Sequence, residues 1–382
     1  MNGELSMFFF MSICLVIIGA TFLFIPSMSR VDIYFGIRMP KFLRKREDMK
    51  KIRSRFNINI ISYTIATILV YAIGYYLIYK WALGENFQAS WLIFITLVQM
   101  ALLQLAYYIA YKSVRTIKAK EKDSGNWNVA RKISIVDTKL SKEINKVNYW
   151  WLLPFIIILF EVILVASNYS NLPEQIPMHY NLAGEVDRYT NKTPLNAMML
   201  PIISFGMTVF LYVTTVITKR SKKEINSLNT EKSRAQLRLY YKYLEVFMAI
   251  TSAMLGITFL IGDLSLVGIV SSKYMMSIIL IISLILVVFA TVFFIKIGQG
   301  GCKLKIKDVE DKEEEELFID KDDDQYWIMG TFYYNKEDPS LMVEKRSGGG
   351  WTVNLGTTLG MILTIAPIIL IIVLCIAIPM RG

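Results

Sequence analysis

The sequence predicts an all-α polytopic membrane protein, a bundle of about eight transmembrane helices with a small β-rich cytosolic insertion before the last helix. Three observations predict it. The chain of 382 residues is 54% hydrophobic and has a mean hydropathy of +0.44. About eight apolar runs are long enough to cross a hydrocarbon core of about 30 Å. Lipid offers the backbone no hydrogen-bond partners, so each run must satisfy its own backbone as a helix.

The apolar runs divide the chain into five regions. Residues 1–148 form an N-terminal membrane region with three spans and basic loops, and residues 149–218 hold two spans joined by a polar loop. Residues 219–297 add two spans, residues 298–356 an acidic linker with a small β-rich segment, and residues 357–382 the last helix. The predicted spans are residues 7–26, 58–81, 91–111, 150–169, 195–218, 243–261, 275–297 and 359–379.

Loops dense in lysine and arginine alternate with loops that have few, and this alternation predicts the orientation. Segment 28–56 holds ten Lys and Arg against three acids, 112–148 ten against four, and 219–239 seven against two, whereas 82–90 holds none. Basic loops stay in the cytoplasm, so we expect a multi-pass protein of the cell membrane with both termini outside. The net charge of +11 then reflects topology in a lipid bilayer, and we expect no direct binding of nucleic acid.

Two basic segments have the pattern of amphipathic helices that lie on anionic lipid. In "KFLRKREDMKKIRSRF" one helical face carries Phe42, Met49, Ile52 and Phe56, with cations around the rest. In "RKISIVDTKLSKEINKV", residues 131–147, apolar residues recur at helical spacing. We expect both segments to anchor the bundle at the inner surface, and a docking site for a cytosolic partner is the alternative.

The insertion at residues 298–356 has two parts. The stretch "KDVEDKEEEELFIDKDDD" is expected to be a solvated linker that is attracted to the basic inner loops. The following "YWIMGTFYYNKEDPSLMVEKRSGGGWTVNLG" is rich in aromatic and β-branched residues and is interrupted by "KEDP" and "GGG". This pattern predicts a small β-hairpin or a three-stranded meander, which at its size should pack on the bundle or the basic loops.

The chain contains no motif for catalysis or for a cofactor. It lacks GxSxG, HExxH and the glycine-rich phosphate loops. The three cysteines, Cys14, Cys302 and Cys375, are too scattered for a disulfide framework or a thiolate metal cluster. We therefore expect a protein that is not an enzyme and has no cofactor.

Glu161 lies near the middle of the apolar run "WWLLPFIIILFEVILVASNY". A carboxylate at that depth is costly and normally faces the interior of a helical bundle. Counting from the span ends puts Gln99 at nearly the same depth and Gln104 further in. A protonated Glu161 hydrogen-bonded to Gln99 is the structural interpretation, and a proton or ion relay in a transporter or exporter is the functional alternative.

The loop "LPEQIPMHYNLAGEVDRYTNK", between the fourth and fifth predicted spans, holds His179, the one histidine of the chain. The predicted orientation places this loop outside the cell, where loops commonly carry recognition. A metal site with His179, Glu174, Glu185 and Asp187 as ligands is the weaker alternative. The spacing of these four residues matches no known metal scaffold, so we expect no metal.

The same loop resembles the signature of the sporulation-delaying-toxin immunity proteins, a family of Gram-positive integral membrane proteins. The family pattern runs Leu-Pro-x-x-Ile-Pro-x-His-aromatic-Asn-x-x-Gly-x-x-Asp and then a lysine. It is matched here by Leu172, Pro173, Ile176, Pro177, His179, Tyr180, Asn181, Gly184, Asp187 and Lys192.

The stretch "YFGIRMP" is similar to the family's cytosolic Gly-Ile-Arg-Thr-Pro-Trp element through Gly36, Ile37, Arg38 and Pro40. Met39 and Lys41 replace the threonine and the tryptophan, and the two elements occur in reverse order. Residues 326–356 look like an uncharacterised domain of related Bacillus-type membrane proteins.

The resemblance implies self-protection against a secreted, membrane-active peptide, in some members coupled to holding a transcriptional repressor at the membrane. It implies an external recognition loop and no catalytic residues. We therefore expect an integral membrane protein that senses or resists an external toxic peptide and signals to a cytosolic transcriptional regulator. Proton- or ion-coupled transport through Glu161 is the alternative.

Overall fold

The computed structural model describes residues 2–81, 85–123, 128–129, 144, 148–180, 186–221, 223, 225, 229–306, 318–319 and 322–377. Within these residues, seven helices are long and apolar enough to cross a membrane. The helices are α1 (Asn2–Met28), α2 (Lys41–Arg44), α3 (Glu47–Lys80), α4 (Glu85–Asp123), α5 (Leu152–Asn168), α6 (Pro194–Ala197), α7 (Met199–Arg220), α8 (Thr230–Leu266), α9 (Ser272–Ile297) and α10 (Thr358–Ala377). Of these, α2 and α6 are single turns, and α10 is an apolar helix that coincides with the eighth predicted span. The prediction of an all-α polytopic membrane protein is confirmed.

The strands are short and pair two by two. They are β1 (Ile33–Tyr34), β2 (Ile37–Arg38), β3 (Asn128–Val129), β4 (Gln175–Tyr180), β5 (Val186–Asn191), β6 (Phe318–Ile319), β7 (Trp327–Ile328), β8 (Phe332–Tyr333), β9 (Met342–Glu344) and β10 (Trp351–Val353). The pairs β1–β2, β4–β5, β7–β8 and β9–β10 are antiparallel, whereas β3 and β6 are parallel. The described strands therefore add local hairpins to a helical protein.

The β-rich segment near the C-terminus forms two hairpins, where the sequence predicts one hairpin or a three-stranded meander. The chain between β8 and β9 folds back on Asn354, which is fully buried. The Asn354 amide donates to the carbonyl oxygens of Asn335, at 2.9 Å, and Asp338, at 2.8 Å. These bonds keep the connection compact, and β8 pairs with β7 whereas β9 pairs with β10.

The sequence predicts that the basic segment after the first span lies on the lipid as an interfacial helix. The structure shows that this prediction is wrong. After α2, it begins α3 and runs directly into the span. Met49 and Phe56 are buried inside the protein, in a cluster that includes Phe35 of the β1–β2 turn and Tyr107 of α4. The apolar face is therefore covered by protein. Of the second segment, residues 131–147, Ile144 alone is described, and its side chain is buried.

The spanning helices form two groups. Helices α1, α3 and α4 pack on one another, and so do α5, α7 and α8. Helix α9 packs on both α8 and α1, so it joins the groups. One end of the bundle carries the β4–β5 hairpin, which lies between α5 and α7, and is called the hairpin end here. The opposite end, where α1 ends and α3 begins, carries most of the described lysines and arginines and the β7–β10 segment, and is called the basic end.

Candidate functional site

The β4–β5 hairpin stands on the hairpin end of the bundle. Ile176 pairs with Thr190 and Pro177 with Tyr189, and the register shifts on both sides of His179. An irregular strand directs side chains differently from a regular one and often marks a functional site. Asn181, Gly184 and Glu185 belong to the predicted recognition loop and lie outside the described residues.

Apolar residues fix the base of the hairpin to three helices. Leu172 and Ile176 are buried against Val165 of α5 and Ala197 of α6, and Leu266 of α8 packs on the same cluster. Burial of side chains this large stabilises the contact by about 1.5–3 kcal/mol each. The hairpin is therefore held by the ends of the helices.

Lys192 closes the hairpin base from the polar side. Its ammonium donates to the carbonyl oxygen of Leu172 at 2.8 Å and to that of Ser170 at 3.2 Å. The same ammonium lies 5.3 Å from the centre of the Tyr169 ring, a cation–π contact. Glu174 is 3.9 Å away and exposed to water. Lys192 thus acts mainly through these two backbone carbonyl groups, of which the one of Leu172 belongs to a buried residue.

The face of the hairpin is polar and exposed. His179 Nδ1 lies 2.6 Å from Asp187 Oδ1, and the two side chains are 60% and 46% exposed. Tyr180 is turned inward, where its hydroxyl contacts Ser265 of α8 and burial raises its pKa. No group of three or more His, Cys, Asp or Glu side chains in the described part of the chain is placed to hold a metal ion.

A second polar site lies inside the bundle, around Glu161. Glu161 is fully buried, and Ser204 of α7 donates a hydrogen bond of 3.4 Å to its Oε1. Asp263 of α8 is also fully buried and close enough for the charges on the two carboxyl groups to interact. The predicted bond between Glu161 and Gln99 is wrong, because Gln99 Nε2 donates to the carbonyl of Leu15 on α1 at 2.8 Å.

Helix packing explains that error. Gln99 and Gln104 belong to α4, which packs on α3 and α1, whereas Glu161 belongs to the other group of helices. Gln104 is half-buried, and its Nε2 donates to no group in the described residues. Depth along a span can be read from the sequence, but the neighbouring helix cannot.

Asp263 is the buried acidic residue of this candidate site that the sequence analysis missed. The predicted sixth span ends at residue 261, two residues before Asp263, whereas α8 continues to Leu266. An acidic residue beside the end of an apolar run was the available signal, because a helix extended by one turn takes such a residue into the bundle.

Further polar contacts continue along α7 and α8 towards the basic end. Thr208 and Ser252 are hydrogen-bonded at 2.9 Å and are buried. Nearer the basic end, Lys219 donates to Glu245 at 2.7 Å, and the backbone amide of Asn148 donates to the other carboxylate oxygen at 3.1 Å. Glu245 is therefore a buried partner of Lys219.

At the basic end, the Gly-Ile-Arg element forms the buried β1–β2 hairpin. Its turn residues have positive φ, +46° at Phe35 and +78° at Gly36. A Cβ on Gly36 would lie 2.5 Å from Gly330 Cα, so only glycine permits this contact with the β7–β8 turn. Ile37 is buried with Phe35 in the core, and Pro40 directly precedes α2. The element is therefore a docking surface for the C-terminal segment.

Two buried arginines join these parts. Arg38 contacts Asp32 and, at 3.4 Å, Asp323. Arg346 donates to the carbonyl of Gly36 at 3.0 Å and pairs with Asp323 and Asp324. A buried charge is tolerated only where such partners surround it. Opposite charges and one hydrogen bond to the backbone therefore join the C-terminal segment to the Gly-Ile-Arg element.

The end of the acidic stretch is bound to α4, as its attraction to the basic segments predicts. Lys118 donates to Asp322 at 2.7 Å and to Asp324 at 2.8 Å, and Lys122 reaches Asp322 at 3.2 Å. Burial of Asp322 opposes its ionisation, but the hydrogen bonds and charges of Lys118 and then Lys122 outweigh burial and hold its pKa below the usual value. Asp322 therefore binds α4 as a carboxylate.

The described helices define the class of this chain, an integral membrane protein with several spans. Residues 156–205 match a domain of unknown function, DUF1648, and residues 336–361 match a family of unknown function, DUF5808. The first match covers Glu161, the β4–β5 hairpin and Ser204, and the second covers Arg346 and the β9–β10 hairpin. No curated protein and no solved structure matches the chain.

Proposed function

We propose that this protein recognises a membrane-active peptide outside the cell through the β4–β5 hairpin and so protects the cell or reports the peptide. The observation that carries the proposal is the hairpin itself, which has a buried base and an exposed polar and aromatic face. A surface held on rigid helices binds a partner without a large loss of conformational entropy.

The chemistry of the hairpin suits an extended peptide. No third strand pairs with β4 or β5 in the described residues, so both strands present edge groups to the solvent. A peptide can add to such an edge through backbone hydrogen bonds, with side chains of the hairpin selecting it. Met178 and Tyr189 are exposed at 37% and 55% and offer apolar contacts on this surface.

The distribution of charge supports an external position for the hairpin. Helices α4 and α7 end in lysines and arginines at the basic end. Helix α3 carries Lys50, Lys51, Arg53 and Arg55 near its start at the same end, against Lys80 at the other, and such residues favour the cytoplasmic side. The resemblance to the toxin-immunity family supports the same role. A cytosolic transcriptional regulator would then meet the basic end, where Lys50 and Arg46 are exposed.

The proposal is tested by producing the chain in a bacterium that is sensitive to membrane-active peptides and lacks this gene. We expect the wild-type chain to raise the inhibitory concentration of at least one peptide in a panel of cationic and uncharged membrane-active peptides. Tyr189→Ala, combined with His179→Ala, should remove that protection, because the two substitutions erase exposed contacts and leave the buried base intact.

Tyr79→Ala is the matched control. Tyr79 lies one residue before the end of α3, at the hairpin end, and is 54% exposed, nearly the same as Tyr189, but does not belong to the hairpin. This variant should protect as well as the wild type at equal membrane abundance. Equal survival of cells with and without the chain across the whole panel, or equal loss in the control, contradicts the proposal.

A further inference from the structure

Two buried carboxyl groups lie at the same level of the packed helices beneath the hairpin, because Val165 packs with Leu266 on one side of them and Ile157 lies beside Gly256 on the other. Glu161 lies seven residues from the end of α5, about 10 Å along the helix, and Asp263 lies one turn from the end of α8. Both side chains have no exposed surface, and Ser204 of α7 hydrogen-bonds to Glu161. The site is thus formed by three helices that pack on one another.

Three of the four carboxyl oxygens of this pair have no hydrogen-bond donor in the described part of the chain. In the described residues, no group donates a hydrogen bond to Glu161 Oε2 or to either oxygen of Asp263. Buried polar atoms are nearly always satisfied, so three such oxygens in one place need a ligand or a proton.

The described cations on the surrounding elements are too distant or already bound. Lys219 and Glu245 pair with each other at the basic end, and Glu245 is 18 residues from Asp263, about 27 Å along α8. At the hairpin end, Lys192 is bound to backbone carbonyls. The other charged or titratable side chains described on the packed elements are Tyr149, Tyr169, Glu174, His179, Tyr180, Asp187, Arg188, Tyr189, Tyr212, Arg220, Glu231, Lys232, Arg234, Arg238, Tyr240, Tyr241, Lys242, Tyr243, Tyr274 and Lys296.

Apolar residues and close helix packing cover the site on both sides. Towards the hairpin, the site is covered by the apolar cluster of Val165, Ile176 and Leu266. Towards the basic end, the helices approach closely at Gly256, where an added Cβ would lie 3.2 Å from Ile157 Cγ2 and 3.6 Å from Ser204 Oγ. Two carboxylates in so apolar a place would repel each other without screening.

We infer that Glu161 and Asp263 form a proton-binding site within the membrane, which holds at least one proton on the pair of carboxyl groups and in which Ser204 orients Glu161. Binding a proton supplies the missing donor and removes one negative charge. The first proton leaves a single negative charge on the pair, and a second makes it neutral. The inference depends neither on peptide recognition nor on net transport of any ion.

Infrared difference spectroscopy of the full chain in lipid nanodiscs, recorded across a pH titration, tests the site. We expect a carbonyl band of a protonated carboxylic acid in an apolar environment. Labelling with carbon-13 in the side-chain carboxyls of aspartate or of glutamate should shift this band for each amino acid. Glu161→Gln and Asp263→Asn should each remove part of the band and shift the midpoint pH of the remainder, since each group feels the charge of the other.

Glu47→Gln is the control, because Glu47 is 77% exposed in an ion pair with Lys50 and should not contribute to the band. Isotope labelling of the wild type decides the case even where a variant does not fold. Carboxylates that stay ionised at every pH at which the protein is folded would overturn the inference. So would carboxylate bands that respond to sodium ions at constant pH without any protonated band, which would indicate a metal-cation site.

Discussion

At the scale of single residues, the protein treats its buried charges in two different ways. At the basic end, Arg38 and Arg346 are almost completely buried, but carboxylates and a backbone carbonyl surround them. Inside the bundle, Glu161 and Asp263 lie together without a cation among the described residues. The first arrangement fixes a contact between two parts of the chain, and the second leaves a site that a proton can occupy.

Arg346→Ala should release the C-terminal segment from the bundle. The substitution leaves Asp323 and Asp324 with one buried arginine fewer, and breaking a buried ion pair costs about 3–5 kcal/mol. A cost of about 3 kcal/mol corresponds to roughly hundredfold faster opening. Hydrogen exchange of the amides in residues 322–356 of the full chain measures it.

Arg46→Ala is the control for that prediction. Arg46 pairs with Asp48 and Glu121 but is 41% exposed, and an exposed pair contributes at most about 1 kcal/mol. Its exchange in residues 322–356 should match that of the wild type. Unchanged exchange in Arg346→Ala would show that the buried pairs do not hold the segment.

At the scale of elements, the hairpin depends on contacts that its own strands do not contain. The sequence motif singles out Leu172, Ile176 and Lys192, and the structure uses all three to join the hairpin to helix ends. The motif does not show that Val165 and Leu266, from two different helices, complete the base. Those partners are set by helix packing, for which a single sequence has no local signal.

Lys192→Met should loosen the hairpin. The methionine keeps an apolar stem but removes the donor to the carbonyl groups of exposed Ser170 and buried Leu172, and the loss at the buried residue costs about 1–3 kcal/mol. Limited proteolysis and hydrogen exchange of residues 175–191 should show faster opening. In the control Glu174→Gln, a 91% exposed carboxylate is neutralised, and opening should be unchanged. An equal effect of both substitutions would assign the anchoring to the ion pair instead of the carbonyl contacts.

At the scale of the whole molecule, the helices place the hairpin and the basic residues at opposite ends of one bundle. Helices α1, α3 and α4 connect through α9 to the group α5, α7 and α8. The C-terminal segment contacts β1–β2, α4 and α8, so the basic end draws together distant parts of the chain. Both helix groups therefore contact this segment, the first through α4 and the second through α8.

A cysteine at position 174 should react with a membrane-impermeant thiol reagent in intact cells, whereas a cysteine at position 50 should react only after permeabilisation. Glu174 and Lys50 are 91% and 63% exposed at opposite ends, so both substituted thiols are accessible once the reagent reaches their side. The three native cysteines are replaced by alanine in both variants. The reverse labelling pattern would place the hairpin in the cytoplasm and remove the proposed encounter with an external peptide.

The sequence by itself determined the membrane class, the positions of the spans and the alternation of basic and neutral loops. Each depends on the transfer free energy or charge of consecutive residues, which a single chain displays directly. The tertiary structure alone decided that Glu161 meets Asp263 and not Gln99, that the Met49–Phe56 face is buried by protein, and that Arg346 reaches Gly36. These contacts depend on which helices pack together, and hydropathy does not distinguish a neighbouring helix from lipid.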